Sequence, residues 1–125
     1  MKKTFFSALI AIALLFSVGI FESSFVQKQF DEFYSAVNSL YEKTDEKTIT
    51  SADVLAAKNL WTVKKRYLHM FIPHSEIKEV DLWLSEAVSY SKSENYEETL
   101  SKLEVLKDLC GNIPKTFKLK PENVL

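Results

Sequence analysis

The chain has 125 residues, 46% of them apolar, with 16 basic and 17 acidic side chains for a net charge of -1. That length suggests one domain, and so balanced a charge argues against nucleic acid as a partner. Two glycines, three prolines and one cysteine exclude a turn-rich all-β fold, an intramolecular disulfide framework and a multi-cysteine zinc site.

The strongest signal comes first. In "MKKTFFSALIAIALLFSVGIFESS", Lys2 and Lys3 precede an uncharged apolar run from Phe5 to Phe21. As a helix that run spans about 26 Å, close to the roughly 30 Å hydrocarbon core of a bilayer. The two lysines flank the run and favour a cytoplasmic N-terminus, with the rest of the chain on the far side. Without Lys2 and Lys3, 14 basic residues face 17 acidic ones, a charge of -3.

Two readings of the run compete. A signal peptide cut after the small-x-small triplet ending at Gly19 would secrete the remainder. An uncleaved signal-anchor is favoured, because no A-x-A site is present and the helical pattern continues past Gly19 without a break. No cysteine follows the run to carry a lipid. The expected organisation is an anchor over residues 1–24, an extracytoplasmic helical bundle over 25–114 and an extended tail over 115–125.

From Val26 the pattern becomes one-sided. Val26, Phe30, Phe33, Val37 and Leu40 repeat at 4-3-4-3 spacing, which predicts an amphipathic helix to about Glu42. Phe30 and Phe33 have an alternative use, as an exposed stripe for another membrane protein's helix. "KTDEKTITS" is a polar linker, with Thr50 or Ser51 as the N-cap of a second helix and Asp53 in its first turn. Val54, Ala57, Trp61 and Leu68 form the face of that helix, which runs to about Phe71, and Pro73 ends it.

A third helix is expected from Ser75, its cap, to Ser91, with Ile77, Val80, Leu84, Ala87 and Val88 inward. "SKSEN" breaks it and Ser93 caps a fourth, whose stripe is Tyr96, Leu100, Leu103, Leu106 and Cys110. "CGNIP" reads as a stop, with Gly111 in the left-handed position and Pro114 beyond it. The tail is expected to lie on the bundle through Phe117, Leu119, Val124 and Leu125. Short links favour antiparallel neighbours, so the expected fold is all-α: an N-terminal anchor helix continuing into an up-down bundle of about four helices. Lys58, Lys64, Lys65 and Arg66 are expected on a solvated face, paired with the acids of helices three and four.

Candidate site residues cluster at one corner. "FIPHSEIKEVD", residues 71–81, carries His74 and Glu76, and His69 lies five residues before His74. The H-E-x-x-H zinc pattern needs a spacing of four on one helix face, and Pro73 interrupts it. No nucleophile or oxyanion device accompanies the pair. The simpler reading is a helix corner in which Glu76 and Glu79 favour the positive helix end and His74 donates a hydrogen bond across the turn. Trp61 is a packing residue or a partner contact.

The ordered features also carry a resemblance. A basic start, one apolar span, Trp61, an "HSEI" corner at His74, Glu76 and Ile77, and "LSKLEVLKDL" with Leu103 and Leu106 are followed by Ile113-Pro114 and a terminal "ENVL" with Asn123 and Leu125. This resembles a family of short clostridial and related Firmicute proteins, domain of unknown function 4363. The resemblance implies a membrane-anchored, mostly helical protein with a membrane partner, and it carries over no established activity, substrate or cofactor. Relatives often have an Asp soon after the corner isoleucine, where this chain has Lys78. The function expected is therefore a non-enzymatic accessory or interaction module, anchored in the bilayer and partnered by an integral membrane protein. The alternative is a small ligand- or metal-sensing domain using the His74 corner.

Overall fold

A computed structural model describes residues 2–117. Four helices follow in order: α1 (Lys2–Asp45), α2 (Ser51–Leu68), α3 (His74–Lys92) and α4 (Tyr96–Phe117). The helix that begins in the apolar run continues without interruption into the bundle. At 1.5 Å per residue its 44 residues reach about 66 Å, twice the length of its neighbours.

Each helix packs on the next, and α4 closes the ring against α1. Ion pairs and ring contacts run antiparallel across three seams: Lys43 to Asp53, Lys65 to Asp81, and Lys102 to Glu86. The fourth seam, between α1 and α4, is marked by Lys107 lying 4.5 Å from the centre of the Tyr41 ring.

The core is made of one stripe per helix at alternating spacings of three and four. On α1 it is Val26, Phe30, Phe33, Val37, Leu40 and Thr44, and on α2 it is Val54, Ala57, Trp61, Lys64 and Leu68. The α3 stripe is Ile77, Val80, Leu84 and Ala87, and α4 adds Thr99, Leu103, Leu106, Cys110 and Ile113. This average of 3.5 keeps one seam facing the bundle axis, as in coiled coils and four-helix bundles. Each fully buried Leu, Ile, Val or Phe contributes about 1.5–3 kcal/mol relative to leaving it in water. Phe30 and Phe33 are buried, so they form core and not an exposed docking stripe.

Several ends differ from the sequence expectation. α2 stops at Leu68, short of Phe71, while its cap is Thr50, one of the two residues expected: Thr50 Oγ1 accepts from the Asp53 N–H, and the Asp53 carboxylate accepts from the Thr50 N–H. This is a capping box with Asp in the third position. α3 starts at His74 behind Pro73, whose carbonyl accepts from the Glu76 N–H at 3.0 Å, and Ser75 provides no cap. The cap of α4 is Asn95, whose side-chain oxygen accepts from the Glu98 N–H. Ser93 donates back to the Tyr90 carbonyl instead.

Two turns at the end far from the apolar run share one solution. Thr48 N–H reaches the Lys43 carbonyl and Lys47 N–H the Thr44 carbonyl; Asn95 and Glu94 repeat this on Tyr90 and Ser91. Lys47 and Glu94 therefore sit in the left-handed region, at φ 59° and 56°. These are Schellman closures that glycine would adopt more cheaply.

The largest correction is at "CGNIP". α4 runs through Gly111 and Pro114 to Phe117, and Gly111 keeps a negative φ. Pro114 forfeits the bond to the Cys110 carbonyl. The burial of Ile113 and Pro114, the next positions of the stripe, offsets that loss. Residues 118–125, with most of the expected tail and its contacts, lie outside the described residues, as does the side chain of Phe117.

Asp53 links the α2 cap to α1. A hydrogen bond from Lys43 Nζ at 2.8 Å, with those from Thr50, lowers its carboxyl to about 2. An unfolded aspartate binds its proton near pH 4. The stabilisation is thus complete above about pH 4 and is lost as pH falls towards 2. Urea midpoints should fall across that acid window, and more shallowly in Asp53→Asn.

Candidate functional site

The α2–α3 corner is built by successive backbone closures. His69 N–H bonds to Lys65, Met70 N–H to Tyr67, and both Phe71 and Ile72 N–H groups to the Leu68 carbonyl. These bonds tighten the end of α2 before Pro73 redirects the chain. Leu68, Ile72 and Ile77 plug the corner from inside. His69 and His74 stay exposed, and their rings stack with centroids 5.5 Å apart and planes 26° from parallel. Among the described residues this stack replaces the hydrogen bond expected of His74 across the turn. Glu76 lies half-buried in the first turn of α3.

The sequence candidates do not converge. His74 joins His69, whereas Trp61 lies two turns back along α2 and is buried at 2% exposure. Its ring packs on Phe33 at 4.9 Å and Phe30 at 6.2 Å, and its indole N–H donates to Asp81 Oδ1 at 2.7 Å. Trp61 is thus a core residue whose contacts join α2 to α1 and α3. Among the described residues no three His, Cys, Asp or Glu side chains cluster to hold a metal ion. Two imidazoles alone leave a tetrahedral ion half-coordinated. Lys2 and Lys3 stand exposed at the start of α1, ahead of the apolar run.

Cys110 is a core residue. Burial pushes its thiol up to about 12, so the nucleophilic thiolate is scarce at neutral pH. A maleimide should leave the folded protein unlabelled at pH 7.5 and label it fully in denaturant, as read by intact mass. Rapid labelling of the native fold would contradict this burial.

Lys64 escaped the sequence reading. It is only 4% exposed and fills the gap in the α2 stripe, yet its ammonium reaches Gln29 at 2.9 Å and Glu32 on α1. Its partners are therefore on α1 and not on helices three and four, while Lys65 does pair with Asp81 on α3. The Lys64 hydrogen bond holds the Glu32 carboxyl below its usual range. Breaking such a pair from the exposed side leaves a buried charge with only the neutral Gln29 oxygen as partner. Lys64→Met should change stability by no more than about 1 kcal/mol. Glu32→Leu should lower it more, as read by urea denaturation; the reverse order would show that the ammonium is effectively solvated.

Lys102 makes a second shared contact that spacing did not reveal. It lies 3.7 Å from both Glu86 and Glu98 and faces the rings of Trp83 and Tyr90. A shallow groove outside α2 and α3 is lined by Lys58, Trp61, Lys65, Asp81 and Lys92. It holds charged side chains of both signs.

At the other extreme, residues 2–21 of α1 are exposed throughout, although Phe5 to Phe21 are almost wholly apolar. It is the one described helix long and apolar enough to cross a membrane. Coverage by the bundle begins at Glu22. A family profile, Domain of unknown function (DUF4363), matches residues 20–124. The chain belongs to the DUF4363 family. The DUF4363 match thus starts where the bundle starts and takes in all of its helices. No curated protein and no solved structure matches the chain.

Proposed function

We propose that this DUF4363 chain is a single-pass membrane protein with a cytoplasmic N-terminus, whose bundle is an extracytoplasmic, non-catalytic accessory module for an integral membrane neighbour. The observation that carries the reading is the continuity of α1. One helix supplies both an exposed apolar rod of membrane length and a quarter of the bundle core. Such a span confines the bundle to the membrane plane and raises its effective concentration near a neighbour in the same bilayer. Leu55, Val63, Tyr67 and Leu82 are exposed on α2 and α3 and offer apolar contact area to that neighbour.

Photo-crosslinkers at Leu55 and Leu82, in intact membranes, should recover one integral membrane protein that a crosslinker at Ser101 does not. Repeated recovery of nothing above that control would overturn the module reading. Sequencing the mature N-terminus tests the anchor itself, since a start at Ile20 means the span is removed. The stacked His69 and His74 keep a metal-sensing role as the second reading. In that case zinc raises the melting temperature and His74→Ala abolishes the gain.

A further inference from the structure

We infer that the α2–α3 corner is a second membrane contact: Met70 and Phe71, flanked by Tyr67, rest in the lipid headgroup layer beside the point where α1 leaves the bilayer. The inference builds on the anchored reading above. It starts from height. α1 is unbroken through this region, so a residue's distance from the apolar run follows from helical rise. Phe25 stands about 6 Å beyond Phe21, the end of the run. The Phe71 ring lies 5.5 Å from that of Phe25, which in turn stacks on Phe21 at 6.3 Å. The interfacial layer on each side of the hydrocarbon core is about 5–8 Å thick. Phe71 therefore packs beside a position at the depth of that layer, joined to the end of the run by a ladder of three aromatic rings.

Exposure supplies the second argument. Met70 is 77% exposed, more than any large apolar side chain of the run itself, where Leu15 reaches 73%. The corner's backbone closures hold it outward while Ile72 plugs the core behind it. An unbranched apolar side chain in this position gains by entering lipid and loses by staying in water. Its neighbours suit a half-wet layer. Tyr67 is 54% exposed, and His69, His74 and Arg66 are exposed around it. Tyr and basic residues are the side chains that sit at headgroup level. α4 runs antiparallel to α1 and brings Lys115 to the same end. Among the described residues the acids nearest the tip are Glu22 and Glu76, both half-buried, with exposed Glu79 a turn farther along α3.

The test uses the full chain in vesicles of phosphatidylcholine and phosphatidylglycerol. Single cysteines replace Ile12, Met70 or Ala52, the last at the opposite end of α2, and each carries an environment-sensitive fluorophore. Cys110 stays in place, and the parent chain supplies its labelling blank. The label at Met70→Cys should emit to the blue of that at Ala52→Cys and be quenched several-fold more by lipid bearing a shallow nitroxide. The label at Ile12→Cys should be quenched chiefly by a deep nitroxide. Deep quenching at position 12 with position 70 behaving like position 52 would overturn the headgroup contact and leave the anchor standing. No deep quenching at position 12 would overturn both.

Discussion

Trp61→Ala should bring the bundle close to unfolding. Trp61 is the largest fully buried side chain, and it joins three helices: its ring lies on Phe30 and Phe33 of α1, and its N–H on Asp81 of α3. Truncating a buried Trp costs about 3–5 kcal/mol in lost transfer energy and residual cavity. A domain of this size has about 5–15 kcal/mol in all. For a body of under about 100 residues each kcal/mol moves the melting temperature by about 4–8 °C, so a fall of about 12–40 °C is expected. Trp83→Ala is the control. Trp83 is half-buried on the rim, bonded to Glu79 within its own helix and covered by Lys102. Circular-dichroism melts should show the smaller loss there; equal losses would mean that the core is not centred on Trp61.

Two arginines in the apolar run should detach the protein from the membrane while leaving the bundle intact. From Phe5 to Phe21, eleven of the residues are Phe, Leu, Ile or Val. At about -0.3 to -0.6 kcal/mol each they favour insertion by about 3–7 kcal/mol. An arginine near the helix centre costs about 2.5–3.5 kcal/mol, so one leaves about 0–4 kcal/mol in favour of insertion, and two, which also remove the Ile12 and Leu14 contributions, bring the balance to about zero or beyond. Ile12→Arg with Leu14→Arg should therefore shift the protein from a carbonate-resistant membrane fraction to the extractable one. Both side chains are exposed and outside the core, so the melting temperature of the bundle should not move. Loss of melting stability in the double variant would show that the run packs on the bundle. Retention in carbonate-washed membranes would show that something other than this helix holds the chain there.

The α2–α3 corner lies where the exposed apolar run meets the bundle. The apolar run is exposed, and the bundle buries its own core. Between them lie an unbroken helix, a ring ladder from Phe21 to Phe71, and an exposed Met70. A neighbour in the membrane would meet the bundle at an orientation set by this joint. A flexible linker in the same place would leave that orientation free.

What could be read without coordinates follows from periodicity. Burial repeats along a helix, so Val26, Phe30, Phe33, Val37 and Leu40 announce their shared face in their spacing alone, and all five are buried. The all-α class, the four helices and the membrane-length run follow by the same local logic. Features set by competition between distant groups were not legible. Gly111 and Pro114 carry the local signature of a stop, yet burying Ile113 against the other helices carries α4 onward. Ser75 and Ser93 are good caps in isolation, and the turns chose Pro73 and Asn95. Lys64 looked like a surface charge because its acceptor, Glu32, is 32 residues away. His69 meets His74 only because Pro73 folds the chain back at that angle. A single strand of sequence records what each residue prefers, whereas packing decides which preferences yield when several helices must share one core.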